Sequence, residues 1–190
     1  MPFIALDKNT AERVDITKYK EPKKELSAFD LVCQDCHTAM YIRHTINVSA
    51  HFAHHPRTDG ERCLSAGESP AHMEAKKAMA LRMRALYPEA RHELEFSITG
   101  TEHAESRRVD LLTIWEDGLA YAHEIQLSPI SLKELAERTE DYANRGINVI
   151  WWLGSKANTY ENRDYLISEV GSYGTIRYEG REVSPSSIVS

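Results

Sequence analysis

The chain has 190 residues, of which 42% are hydrophobic and 27% charged, with a formal net charge of −6 at pH 7. These values are typical of one globular domain, or of one domain with a small module, and they exclude a general basic surface for nucleic acid. No apolar segment is long enough to span a membrane and no signal-peptide pattern is present, so we expect a cytoplasmic protein. An odd number of cysteines, three, argues against a disulfide framework.

The chain divides near Glu68, and we predict domains over residues 1–66 and 67–190. The first domain has short, turn-rich elements and contains all the cysteines. In chain order we predict strands over 3–6 and 13–16, a charged linker over 17–27, and a Cys/His-rich segment over 28–66.

The Cys/His-rich segment has the spacing of a zinc site at Cys33-Gln34-Asp35-Cys36. A small segment with few apolar residues needs a cross-link, such as a bound metal ion, to fold. The candidates for the two further ligands are His37, His44, His51, His54, His55 and Cys63. We favour His54 and Cys63, with His51 as the rival, which gives a closed structural Zn²⁺ site without a catalytic role. The alternative is a pair of reduced thiols without metal.

The second domain begins with a helix over 69–87, because Ser69 is a natural N-cap, Pro70 suits the first helical position and Pro88 ends the helix. Its predicted apolar stripe consists of His72, Ala75, Met79, Met83 and Leu86. A second helix begins after Ser131, which forms a capping box with Glu134, and it ends at Gly146. Residues 158–170 suggest a third helix.

The strands of this domain show alternating or continuous apolar patterns. Predicted strands cover 93–99, 107–115, 119–127 and 147–153, with a last strand or tail over 175–183. In the first of them, Leu94, Phe96 and Ile98 are expected on one side. The strand over 147–153 follows its predecessor through a helix, so we expect the two to be parallel in a mixed sheet with helices on its faces.

Two carboxylates are predicted to lie opposite each other in the central hairpin. A three-residue loop, with Gly118 in the left-handed position, pairs Trp115 with Leu119 and, counting back, Asp110 with Glu124. Their Cβ atoms would then be about 5 Å apart, and a divalent cation would remove the repulsion between the carboxylates. Hard oxygen ligands suit Mg²⁺ or Mn²⁺, so the pair indicates metal-dependent chemistry on phosphate esters.

Gln126 shares the predicted face of Glu124 and would reach the attacking water or the scissile phosphate. The alternative for the acidic residues is a cross-strand carboxylate pair at the end of a sheet, neutralised by Arg107 or Arg108.

A set of motifs follows one order through residues 3–153. They are Cys33-x-x-Cys36, His51-Phe52-Ala53-His54, Cys63, Glu68-Ser69-x-x-His72-x-x-x-Lys76, Arg108-x-Asp110, Glu124-Ile125-Gln126-x-Ser128, Arg138-Thr139-x-x-Tyr142 and Trp151-Trp152-Leu153. In this order they resemble the CoiA-like competence protein family of the PD-(D/E)XK nuclease superfamily. The resemblance implies an α/β (α+β) fold with a restriction-endonuclease-like mixed sheet, a preceding zinc-finger-like module, and a role in DNA processing or recombination.

The resemblance also implies roles for residues outside the carboxylate pair. His72 resembles the helix histidine that joins the metal site in RecB-like nucleases, and Arg138 with Tyr142 resembles their phosphate-contacting Gln-x-x-x-Tyr pair. Arg108 is placed with them as a substrate contact. The alternatives are a buried histidine bonded to a backbone carbonyl, ordinary packing of Tyr142, and a surface pair of Glu134 with Arg138.

Gln126 departs from the superfamily pattern, in which many members have lysine at this position. Glutamine supplies no positive charge to orient the nucleophile or to offset charge on the phosphate. Lys76 or Lys133 would have to replace that charge, and without either one catalysis would be slow or absent.

We therefore expect a Mg²⁺- or Mn²⁺-dependent deoxyribonuclease in which Asp110 and Glu124 hold the metal, His72 completes the site and Gln126 positions water. Single-stranded and branched DNA are both open as substrates. Two alternatives remain: a DNA-binding recombination accessory protein on a degenerate nuclease fold, and a subunit that docks a protein partner in a defence complex.

Overall fold

The computed structural model describes residues 2–46, 48–56, 63, 68–100, 106–179 and 182–189. The chain forms two compact units, Met1–Met73 and Glu74–Ser190. The predicted division between residues 66 and 67 lies outside the described residues. No helix among the described residues is long and apolar enough to cross a membrane.

The first unit contains two small antiparallel sheets. Its elements are β1 (Ile4–Asp7), β2 (Arg13–Asp15), a 3-10 turn (Ile16–Lys18), α1 (Pro22–Glu25), β3 (Leu31–Val32), β4 (Met40–Thr45) and β5 (Val48–His54). One sheet has the order β2-β1-β3 and the other pairs β4 with β5. The predicted linker over 17–27 instead holds α1, because Pro22 suits a first helical turn, and Leu26 at its end is buried.

The second unit contains a six-stranded mixed sheet. The elements are α2 (Pro70–Leu86), which starts in the first unit, β6 (Arg91–Ile98), β7 (Arg107–Ile114), β8 (Ala120–Gln126), α3 (Leu132–Asn144), β9 (Asn148–Leu153), α4 (Tyr160–Tyr165) continued by a π-helical segment (Leu166–Val170), β10 (Tyr173–Glu179) and β11 (Glu182–Val189). The strand order is β11-β10-β9-β8-β7-β6, and β9 is parallel to β8. The predicted α+β fold, with a mixed sheet flanked by helices, is confirmed.

Local turn and cap chemistry explains these boundaries. Gly118 has a φ of +87°, and the Trp115 amide donates to the Leu119 carbonyl at 2.9 Å, which closes the predicted hairpin loop. The Ser131 hydroxyl accepts from the Glu134 amide at 3.2 Å and caps α3. The hairpin and the helix that follows it were both predictable because residues close in sequence determine them.

The helix α3 packs on one face of the sheet. Its Leu135 and Tyr142 are fully buried against Val149, Trp151 and Leu153 of β9. On α2, the predicted stripe residues Ala75, Met79 and Met83 are buried. Leu86 is 54% exposed, contrary to prediction, because the last turn of α2 lies at the rim of a cavity.

Candidate functional site

Asp110 and Glu124 lie on adjacent antiparallel strands. The register of β7 with β8 runs from Ile114 opposite Ala120 to Leu111 opposite His123, so the next position places Asp110 opposite Glu124. The ladder gives way to a side-chain bond there, since the Ile125 amide donates to Asp110 Oδ2 at 2.9 Å. This bond fixes one carboxylate oxygen of Asp110 beside Glu124.

Beside Asp110, the side chains of β6 and β7 stop alternating regularly between the two faces of the sheet. Phe96 pairs with Val109, which belongs to the core cluster that includes Tyr142, and Phe96 packs against that cluster, whereas the neighbouring pair of Leu94 with Leu111 lies outside it. In an undistorted strand these successive apolar pairs would share one face. The prediction that Leu94 and Phe96 share a side is therefore wrong.

Glu95 explains the break between those pairs. Its φ of +49° is in the left-handed region, which a non-glycine residue adopts only when its surroundings enforce it. Glu95 is 2% exposed, and its Oε1 lies 2.6 Å from Lys76 Nζ of α2. The sequence did not reveal Glu95 as a buried residue, because its alternation with apolar residues is typical of a solvent-facing glutamate.

The ion pair with Glu95 fixes the position of Lys76, which we predicted would supply the positive charge that Gln126 lacks. Its ammonium group forms a buried ion pair with Glu95, which ties α2 to β6. Lys133, the other predicted substitute, has 85% of its side chain exposed and pairs with Glu137 at 3.7 Å.

Glu124 is enclosed by side chains of α3. The carboxylate is 2% exposed, its Oε1 accepts from the Tyr142 hydroxyl at 2.5 Å, and its Oε2 accepts from the Arg138 guanidinium. Burial, and next the charge of Asp110, raise the pKa of Glu124 to about 7, against the lowering effect of Arg138. A carboxyl with this pKa changes its charge near neutral pH, and a nearby cation would favour the charged form.

Arg138 connects Glu124 to Gln126. Its Nη1 lies 3.5 Å from Gln126 Oε1, and its guanidinium lies 4.7 Å from the centre of the Trp151 ring. Gln126 also donates to the hydroxyl and carbonyl of Ser128 at 2.9 Å. The guanidinium therefore places a fixed positive charge next to the glutamine that replaces lysine.

The buried ring of Tyr142 is held by a second group of charges. Arg107 lies 5.7 Å from the ring centre, and it donates to Asp141 at 2.6 Å. Burial raises the pKa of Asp141, but the hydrogen bonds from Arg107 and Arg145 outweigh it and leave this pKa below its ordinary value. Burial, followed by the charge of Glu124, raises the pKa of Tyr142, so its hydroxyl stays protonated and donates. The Tyr142 hydroxyl contacts Glu124, and its predicted contact with phosphate stays a prediction.

His72 and Arg108, the remaining predicted site residues, lie on α2 and β7. His72 is in the first turn of α2, where its Nδ1 contacts the carboxylate of Glu68 and its backbone amide donates to the Ser69 hydroxyl at 3.2 Å. Arg108 is half-buried on β7. The roles of His72 and Arg108 with the carboxylate pair stay predictions.

The first unit brings Cys33, Cys36, His54 and Cys63 together, with their ligand atoms all within 4.8 Å of one another. Cys33 Sγ lies 3.6 Å from Cys63 Sγ, and Cys36 Sγ lies 3.3 Å from His54 Nε2. Thiolates of a tetrahedral zinc site, with Zn–S bonds of about 2.3 Å, lie about 3.8 Å apart, so this group has dimensions that suit a metal ion.

Two further observations concern this Cys/His group. Burial raises the pKa of Cys36, but hydrogen bonds from Thr38, His54 and Cys63 outweigh it and lower the pKa to about 6. A thiolate at neutral pH is the form that binds metal. His51, the predicted rival, is 1% exposed and donates through Nδ1 to the Ser49 carbonyl at 2.8 Å, outside the group.

Comparison with known proteins identifies related sequences and folds. The family model described as "Competence protein CoiA, nuclease-like domain" matches residues 68–179. Among curated proteins no match was found.

Two solved structures resemble the chain at low identity. SfsA of Pyrococcus furiosus in complex with Ca²⁺ is 11% identical, with 80% of this chain and 77% of that chain covered and a TM-score of 0.38. EndoMS in complex with double-stranded DNA is 12% identical, with 78% and 65% covered and a TM-score of 0.33. These values assign no activity to this chain.

Proposed function

Because the chain belongs to the CoiA nuclease-like domain family, we propose that it is a metal-dependent nuclease that hydrolyses DNA phosphodiester bonds in DNA processing or recombination. The observation that carries this proposal is the placement of Asp110 beside Glu124 where the β7–β8 ladder ends. The family match covers both residues, and their proximity supports a shared metal site.

The donor atoms fit a hard divalent cation. Asp110 and Glu124 would hold Mg²⁺ or Mn²⁺, with His72 as a further ligand. When bound, the cation would lower the pKa of a water molecule and stabilise the negative charge of the phosphate. Because Glu124 has a pKa of about 7 without metal, it must lose its proton to act as a ligand.

Residues of α3 prepare the site for a phosphodiester. Tyr142 orients the Glu124 carboxylate through its 2.5 Å hydrogen bond. Arg138 supplies, beside Gln126, the positive charge that glutamine lacks, and stacking on Trp151 holds the guanidinium in place. Gln126 would position the water, and Arg138 and Arg108 would contact the phosphate.

Lys76 supports the site from α2. Its ammonium is paired with Glu95, directly across the β6–β7 register from Asp110. We assign to this ion pair the positioning of the distorted segment of β6 that lies beside Asp110, in place of supplying the positive charge that Gln126 lacks.

Cys33, Cys36, His54 and Cys63 would hold structural Zn²⁺. Three sulfurs and one imidazole fill a tetrahedral shell, so no position remains for substrate. The metal would contribute folding energy to the first unit.

A cleavage assay tests the nuclease proposal. Labelled single-stranded, duplex and branched DNA are incubated with the protein and Mg²⁺, Mn²⁺ or EDTA. Asp110→Asn and Glu124→Gln should each abolish metal-dependent cleavage, while Glu116→Gln, an exposed carboxylate in the loop of the same hairpin, should leave it intact. Cleavage at the wild-type rate by either site variant would refute the assignment.

A second candidate is a DNA-binding accessory protein without hydrolytic activity. The observation that favours it is Gln126 at the lysine position, combined with the engagement of both Glu124 oxygens by Tyr142 and Arg138. Metal-independent binding to single-stranded or branched DNA, without product formation on any substrate, would support this candidate over the nuclease.

A further inference from the structure

A cavity of about 550 Å³ lies in the second unit, lined by Arg82 of α2, by Tyr87 directly after that helix, and by Trp115, Tyr121, His123 and Trp152 of the hairpin and β9. Its volume is within the range of about 300–1,000 Å³ that small-molecule sites have. His123 and Glu124 are neighbours on β8 and point to opposite faces of the sheet, so this cavity is separate from the carboxylate pair.

The cavity has aromatic walls. Tyr87 and Tyr121 each make an edge contact with Trp115, at ring-centre distances of 5.6 Å and 5.7 Å. Trp152 forms a further wall, tilted against the His123 ring at 6.3 Å. Flat aromatic faces stabilise planar ligands of any sequence or substituent pattern by stacking.

His123 brings a polar group to this apolar site. The Trp152 Nε1–H donates to His123 Nδ1 at 3.2 Å, so the ring hydrogen of the imidazole is on Nε2. His123 is 3% exposed, and its Nε2 has no hydrogen-bond partner among the described residues. A buried donor left without an acceptor destabilises the protein, and a ligand that accepts a hydrogen bond from this N–H would remove that cost.

Arg82 places a positive charge at the rim. Its side chain is exposed and donates to the Pro185 carbonyl at 2.7 Å, which orients the guanidinium next to the cavity. The site therefore combines an aromatic interior, one buried donor and a cation at its edge. A nucleotide has the matching parts, because its base is planar with acceptor atoms and its phosphate is anionic.

We propose that this cavity binds a nucleotide, with the base between the aromatic walls, a base acceptor on His123 Nε2–H and the phosphate near Arg82. The choice of a nucleotide among planar anions rests on the proposed action on DNA. The nucleotide is either free or an unpaired residue of a DNA strand, and both sources offer the same chemistry to the cavity.

Tryptophan fluorescence measures binding, because Trp115 and Trp152 line the cavity. The protein, carrying Asp110→Asn and kept without added Mg²⁺ or Mn²⁺, is titrated with deoxyadenosine monophosphate, with a short oligodeoxyadenylate, and with deoxyribose 5-phosphate, which lacks a base. We expect saturable quenching with the first, the second or both, and at least about tenfold weaker binding of the sugar phosphate. Binding of the oligomer alone identifies a strand as the source, and binding of the monophosphate alone identifies free nucleotide.

Two variants test the location. His123→Phe removes the donor, and Ser172→Phe fills the cavity from a residue that lines it. Ser168→Phe, at an exposed serine of the π-helical segment outside the lining, is the matched control. We expect about tenfold weaker binding in either cavity variant that folds and no change in the control.

Equal binding of the sugar phosphate, no quenching by any nucleotide, or unchanged affinity in Ser172→Phe would overturn the proposal. Nucleotide binding without any cleavage by wild-type protein in Mg²⁺ would contradict the nuclease and leave the cavity assigned. Cleavage by wild-type protein without nucleotide binding would support the nuclease and overturn the cavity assignment.

Discussion

Replacing Glu124 by glutamine should stabilise the metal-free protein while it abolishes the proposed cleavage. The folded protein raises the pKa of this carboxyl from 4.5 to about 7, mainly by burial. At about 1.4 kcal/mol per pKa unit, the ionised carboxylate costs the fold about 3 kcal/mol at alkaline pH. Glutamine is uncharged and can still accept the hydrogen bond from Tyr142, so the variant should avoid this cost.

The pH dependence follows from the direction of the pKa change. The folded state keeps the proton at pH values where the unfolded state has lost it, so the contribution of Glu124 to the free energy of unfolding should fall as pH rises from 4.5 to about 7. This fall should be absent in Glu124→Gln. The stabilities of the two proteins should therefore agree below pH 4.5 and differ by about 3 kcal/mol above pH 7.

Urea unfolding in buffer without added Mg²⁺ or Mn²⁺ across this pH range measures the difference, with Glu116→Gln as the control at an exposed carboxylate. Adding Mg²⁺ should then stabilise the wild type more than Glu124→Gln, because a ligand of the folded state adds to its stability. Equal unfolding free energies of wild type and Glu124→Gln at alkaline pH without Mg²⁺ or Mn²⁺ would refute the reasoning that burial dominates at Glu124.

Three further predictions concern other parts of the fold. His123 has a pKa lowered from 6.5 to about 4, first by burial, so its contribution to stability should fall by about 3 kcal/mol as pH drops through this interval, and the difference between wild type and His123→Gln in urea unfolding measures it. In Gly174→Ala the new Cβ would lie 2.2 Å from Trp152 Cε3, so we expect a loss of about 2 kcal/mol or more in thermal or urea unfolding. Gly154→Ala should reduce stability less, since the atom nearest to its new Cβ is a terminal methyl of Leu127 at 2.9 Å. Equal losses of stability in the two variants would contradict the proposed clash with Trp152. Finally, Cys63→Ser should reduce bound zinc measured by atomic absorption and destabilise the first unit, and unchanged zinc content would remove Cys63 from the ligand set.

Much of the second unit was predictable from residues that are close together in the sequence. Glu116-Asp117-Gly118 determined the hairpin loop and, through it, the register that places Asp110 opposite Glu124, because a short loop fixes strand pairing by its own geometry. Ser131 determined the start of α3 by bonding to an amide three residues later. The motif order also identified the family, which the match to residues 68–179 confirms.

The histidine ligand of the proposed zinc site could not be decided from residues that are close together in the sequence. The Cys33–Cys36 spacing indicated a metal site, but the choice between His51 and His54 depended on the path of β5. In the fold, His54 joins the cysteines, whereas His51 is buried against the Ser49 carbonyl.

Only the tertiary structure decided the environment of each carboxylate. Burial against α3 gives Glu124 its raised pKa, and the left-handed backbone of Glu95 with its ion pair to Lys76 reverses the strand alternation beside Asp110. The cavity at His123 likewise needs α2, the hairpin and β9 together. Turns and caps depend on bonds between near neighbours and can be read from the chain, but burial, ion pairing and cavity shape depend on which distant segments meet.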